Sequence, residues 1–187
     1  MRSGADGQYA FTELRPGQYT LSQEKRNGYI QTYPVGENAV QTVNLSSGDI
    51  VENINFGSSM PSSIRGVVFN DFNANGIRDG DDGGITQWVV RLSGGATRTQ
   101  LTNQSGQFEF LNLPPGNYIV KEDQQDTWLQ TSPQSPGVYS IVLFGNVVDS
   151  GKNFGNFKFG IISGKKFNDV NGNGDRKSTR LNSSHRT

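Results

Sequence analysis

The chain has 187 residues, 32% of them hydrophobic and 24 of them glycine, an apolar-plus-glycine share of roughly 45% that is near the globular norm and fits one or two folded domains. It has no cysteine, which excludes a disulfide framework, thiolate metal ligands and a cysteine nucleophile, and no apolar run long enough to span a bilayer or to form a signal peptide behind Met1. Basic and acidic residues balance at 17 each, but Arg176, Lys177, Arg180 and Arg186 fall in a segment set aside below, so the remainder is mildly acidic and unsuited to nucleic acid or insertion at an anionic membrane.

From its start, the chain repeats itself. The polar opening MRSGADGQY reads as the middle of a domain. GQYAFTELRPGQYTL at 7–21 lies over GQFEFLNLPPGNYIV at 106–120, and GYIQTYP at 28–34 lies over TWLQTSP at 127–133, both at an offset of 99. INFG at 54–57 lies over KNFG at 152–155, and IRGVVFNDFNANG at 64–76 over ISGKKFNDVNGNG at 162–174, both at an offset of 98. A fixed period of this kind is the signature of a repeat architecture. It predicts that 1–58 is the C-terminal part of one repeat, 62–157 a complete unit, and 158–174 the first strand and partial loop of a third, in a tandem array. The segment DRKSTRLNSSH, within 175–187, resembles the translation of a sequencing adaptor and is treated as non-native.

At the start of the complete unit stands FNDFNANGIRDGDDGG, residues 69–84. Counted from Asp71, oxygen-bearing side chains fall at positions 1, 3, 5, 9 and 12 (Asp71, Asn73, Asn75, Asp79, Asp82), with Gly76 at position 6 and Ile77 offering its carbonyl at position 7. That is the ligand spacing of a twelve-residue calcium loop. An Asn75-Gly76 hairpin turn would explain two of these residues and leave the others incidental. Without a cation the three aspartates would crowd like charges into one loop. An all-oxygen set disfavours zinc and copper, and magnesium holds its water too tightly to compete well.

After the loop come short alternating runs separated by turn residues: WVVRL at 88–92, FEF at 108–110, YIVK at 118–121 and YSIVLF at 139–144. They predict an all-β sandwich with few helices, in which Trp88, Val90 and Leu92 face the core while Val89 and Arg91 face out. Pro115-Gly116 and Pro16-Gly17 are expected to be tight turns with glycine at positive φ. Trp128 and Tyr29 hold equivalent places in two copies, which favours packing over ligand stacking. Catalysis has little support. The only histidine is His185, in the non-native segment, and Glu109 and Glu122, replaced by Ala10 and Gln23 in the other copy, read as solvated strand residues.

VFNDFNANGIRDGDDGGI, TNQSGQFEFLNLPPGNYIVKE, WLQTSP and the closing NFG together resemble the SdrD B-like domain, a repeat of serine-aspartate-repeat adhesins and other bacterial surface proteins, more distantly related to collagen-adhesin B-type repeats. The resemblance covers residues 1 to 174. It implies an immunoglobulin-like or transthyretin-like β-sandwich, calcium (Ca2+) in the loop after the first strand, and a spacer role. Asp82 stands where the family often has Glu, so it offers a shorter carboxylate. Related repeats form a Lys to Asn isopeptide bond from a first-strand lysine; IRGVVF has none, although Lys165 or Lys166 leaves the crosslink open in the third copy. The expectation is a non-enzymatic calcium-binding stalk or spacer of a secreted or cell-surface bacterial protein, contacting neighbouring repeats. The alternatives are an adhesive module that binds an extracellular protein or glycan ligand and, more weakly, a spacer in a secreted multidomain enzyme.

Overall fold

A computed structural model describes residues 1–36, 38–169 and 172–174; Asn171 of the third loop and the segment 175–187 lie outside them. Thirteen strands follow in order: β1 (Gly17–Leu21), β2 (Ile30–Tyr33), β3 (Gln41–Leu45), β4 (Gly57–Ser59), β5 (Ser62–Asn70), β6 (Val89–Gly94), β7 (Arg98–Leu101), β8 (Gln107–Leu113), β9 (Gly116–Glu122), β10 (Trp128–Ser132), β11 (Val138–Leu143), β12 (Val148–Asp149) and β13 (Phe154–Lys158). No helix occurs among the described residues.

From β5 onward the strands make a two-layer sandwich. One sheet runs β10-β13-β5-β12 with β8 also on β5, and the other runs β11-β9-β6-β7. β5 is central, antiparallel to β8 and parallel to β12 and β13. Alternation selects the inner faces: Tyr118, Val120 and Glu122 of β9 are buried while Ile119 and Lys121 between them are exposed. Trp88, Val90 and Leu92 are buried as the sequence predicts, and they join Ile64, Val68 and Phe108 of the facing sheet in one core. Arg91 points out and pairs with Asp123 at 2.6 Å.

The turn before β9 lies at the prolines as expected, but its glycine differs. Gly116 is not at positive φ; it opens β9 and pairs with Leu143. The left-handed residue is Asn112 (φ 53), four positions earlier, matched by Glu13 (φ 59) at the offset of 99, while Gly17 keeps φ 155. Asn112 lies within β8, at the irregularity where Leu113 and Phe110 pair with Ser62 and Ile64 of β5, and Asn tolerates this region because its short polar side chain can bond locally; the chain then turns at Pro114-Pro115. The Tyr118 hydroxyl then donates to the Pro114 carbonyl at 2.8 Å, and Tyr19 does the same to Arg15 at 2.9 Å.

Other arrangements also occur twice. Gly17 faces Leu45 in β1–β3 as Gly116 faces Leu143 in β9–β11, and Tyr33 faces Gly57 as Ser132 faces Gly155. Tyr9 sits 6.5 Å from Phe56, as Phe108 sits 6.0 Å from Phe154. Gln31 donates to the carbonyls of Pro34 and Ala39, and Gln130 donates to those of Pro133 and Gly137.

Ser62 fastens the entry to β5. Its hydroxyl donates to the Phe144 carbonyl (2.6 Å) and accepts from the Val147 N–H (2.9 Å) while 4% exposed. Ser62→Ala strands both partners and is expected to cost about 1–3 kcal/mol, read as a lower urea midpoint at unchanged m-value. An unmoved midpoint would mean that the two backbone groups find other partners.

Candidate metal centre

The loop after β5 is closed at its neck. Asn70 N–H donates to the Gly83 carbonyl at 2.8 Å, and Phe69 bridges Gly84. Asp71, fully buried, leaves β5 with its own N–H on the Asn156 carbonyl of β13 (2.8 Å). Residues 71–82 are therefore a tight excursion anchored on two strands.

Within it, side-chain oxygens gather backbone N–H groups. Asp71 accepts from Asn75 N–H (3.0 Å) and Gly76 N–H (2.7 Å). Asp82 accepts from Phe72 N–H (2.9 Å) and Asp79 N–H (3.1 Å). Asn73 and Asn75 each use their side-chain oxygen on a backbone N–H two residues on and their amide NH₂ on Asp79. Those two amides, Asn73 first, hold the exposed Asp79 carboxyl below its ordinary pKa. Gly76 has φ 76, and a Cβ there would stand 3.3 Å from the Thr131 carbonyl, so both conformation and space favour glycine.

The structure thus brings Asp71, Asn73, Asn75, Asp79 and Asp82 into one hydrogen-bonded loop, with Ile77 at its exposed rim. Among the described residues, no three carboxylates or imidazoles converge as a metal cluster. Each carboxylate is turned toward N–H donors instead. The donor set still fits a hard cation. Asp71 is fully buried and Asp82 is 5% exposed, and neither forms an ion pair among the described residues. Buried carboxylates without a counter-charge are costly unless a cation neutralises them. The third copy begins alike: Asp169 accepts from Asn173 N–H (3.2 Å) and Gly174 N–H (2.7 Å).

A second polar site lies inside the sandwich, where sequence reasoning placed a solvated residue. Glu122 is buried, 7% exposed, and accepts from the Asn156 amide at 2.9 Å. Burial pushes its carboxyl up to about 8, against a smaller downward pull from Asn156. Glu122 Oε1 and Asn156 Oδ1 are buried without hydrogen-bond partners among the described residues, as are Thr131 Oγ1 and Trp88 Nε1 elsewhere in the unit. The clue was the alternation: Tyr118, Val120 and Glu122 share the inward face of β9, and Gln23 in the other copy masked it. Glu109, by contrast, pairs with Arg65 on the surface. Trp128 packs edge-on against Trp88 at 5.5 Å, and Tyr29 lies under Arg26, so both repeated aromatics have intramolecular partners.

Comparison with known proteins places this site in a family context. Residues 62–140 match the family model of the SdrD B-like domain. The chain is 29% identical over 143 residues to serine-aspartate repeat-containing protein F of Staphylococcus epidermidis, covering 70% of this chain and 9% of that protein. It is 30% identical over 149 residues to a fibrinogen-binding protein of the same species, covering 72% of this chain and 14% of that protein. The chain therefore spans only about a tenth of the length of these relatives. Among solved structures, a minor pilin of Streptococcus agalactiae aligns with 15% identity and a TM-score of 0.40 over 84% of this chain and 66% of that one.

Proposed function

Because residues 62–140 are an SdrD B-like domain, we propose that the chain is a non-enzymatic, calcium-binding stalk segment of a bacterial cell-surface adhesin, built from successive copies of one unit. The observation that carries this reading is the loop at 71–82, where buried Asp71 and Asp82 lack a counter-charge within a calcium-type ligand spacing. The twofold occurrence of the β1–β3 and β9–β11 registers supports the repeat organisation.

Asp71, Asn73, Asn75, Asp79, Asp82 and the Ile77 carbonyl would hold the ion. When bound, calcium supplies the positive charge that the crowded carboxylates need. The chain's own part is to transmit that order. Asp71 N–H holds the Asn156 carbonyl, and β13, parallel to β5, runs on from there toward residues 159–162. Ordering the loop therefore braces the strand that leaves the same unit.

Calcium should raise the melting temperature of the full chain relative to chelator. Extracellular modules bind at about 10⁻⁴ to 10⁻³ M, so millimolar calcium contributes on the order of 1 kcal/mol per site. Identical melts would remove calcium from the account. A second reading, in which the repeats themselves bind a host protein, is favoured by the relative named as fibrinogen-binding. Saturable binding of fibrinogen to this chain would favour adhesion over spacing; absence of binding would leave the spacer reading in place.

A further inference from the structure

We propose that the outer edge of β11 is a self-association surface, pairing antiparallel with the β11 edge of a second copy of this chain. Among the described residues β11 is hydrogen-bonded on one side only, to β9. Alternate residues of such an edge strand direct their N–H and C=O groups into solvent, as a template for another strand. Edge strands are ordinarily guarded by charge or proline, and β11 has neither. No Asp, Glu, Lys or Arg occurs anywhere from Thr127 to Val148.

The outward face at this edge is also apolar. Val142 is 63% exposed, Phe144 is 72% exposed, and Ile119 of β9 lies beside them. The corresponding positions of the earlier copy, Asn44, Ser46 and Thr20, are all polar, so the fold does not demand apolar residues there.

Charge decides the occupant. In a two-fold antiparallel pair the strand meets its own sequence, so a charge near the centre lies diagonally across from its own copy. β11 carries no charge and pairs with itself at no such cost. The pleat requires facing residues to lie on the same side of the joined sheet. A register centred on Ile141 meets this condition: Val142 lies opposite Ser140, and Phe144 opposite Val138. Two four-stranded sheets, β11-β9-β6-β7 and its mate, then become one. The inference goes beyond the stalk reading, since it links copies side by side and does not depend on calcium.

Sedimentation of the full chain across a concentration series, up to about 1 mM, tests it. The unaltered chain should show a monomer–dimer equilibrium. Val142→Lys, at an exposed position that leaves the core intact, should weaken dimerisation about tenfold or more by setting like charges across the pair. Asn44→Lys, at the counterpart on β3, should leave dimerisation unchanged and shows that added charge alone is not the cause. A chain that stays monomeric throughout overturns the proposal, including the case in which it captures an added extended peptide instead. So does a Val142→Lys chain that dimerises as strongly as the original.

Discussion

Glu122→Gln should flatten the neutral-to-alkaline side of the stability profile. In the folded chain burial keeps the Glu122 proton to about pH 8, whereas the unfolded chain loses it near its ordinary value of 4.5. Between those values the folded state binds more protons than the unfolded state, so stability falls as pH rises, and it levels off above about 8. The whole interval corresponds to about 5 kcal/mol at most, with a substantial part already lost at pH 7. Glutamine keeps the shape without the titration, and the earlier copy already carries Gln23 at this position, accepting a bond from Ser58 at 3.2 Å.

On the acid side two carboxyls outside the core, Asp123 and Asp79, act in the opposite sense. The Arg91 guanidinium holds Asp123 low, and the Asn73 and Asn75 amides hold Asp79 low, so what they contribute is present above the ordinary aspartate value and is lost as pH falls through the lowered ones. Urea melts of both proteins at pH 5, 6, 7 and 8 in chelator should therefore diverge, the variant being the more stable by several kcal/mol at pH 8. Parallel melts across that range would mean that Glu122 ionises in the folded chain as readily as in the unfolded one.

Local pattern made the sandwich legible in the sequence. Period-2 alternation in WVVRL and NYIVKE assigns Trp88, Val90, Tyr118 and Val120 to the core without any knowledge of partners. The loop was legible for a different reason: its oxygens are spaced by the backbone they cap, so the register from Asp71 to Asp82 reappears as the hydrogen bonds that close it. What escaped was set by contacts with strands distant in sequence. Glu122 follows the inward alternation of β9, yet its chemistry depends on Asn156, a strand that joins from 34 residues away. The turn before β9 lies at the prolines as expected, but Gly116 is extended, and the left-handed residue is Asn112 in the irregularity of β8, which depends on how β8 pairs with β5. The unguarded edge of β11 needed the sheet order, since only topology tells an edge strand from an inner one.

Residues 71–82 are proposed to hold calcium in a twelve-residue register beginning at Asp71, and calorimetric titration of calcium into the full chain decides whether they do. Asp71 is buried, anchors both the loop and β13, and supplies position 1; Asp81 is a neighbouring charge outside the ligand spacing. Asp71→Ala also strands the Gly76 N–H, at about 1–3 kcal/mol, while the Asn75 N–H keeps the Asn73 oxygen. Asp71→Asn removes the charge and keeps one acceptor oxygen for the Gly76 N–H, the Asn75 N–H retaining the Asn73 oxygen, so it separates ligand loss from misfolding, with circular dichroism confirming that each variant retains its β signal. A calcium loop in this register should give saturable uptake by the unaltered chain, loss of that uptake in both Asp71 variants, and only weakened uptake in Asp81→Ala. Absence of uptake by the unaltered chain, or equal losses from the Asp71 and Asp81 changes, would contradict it.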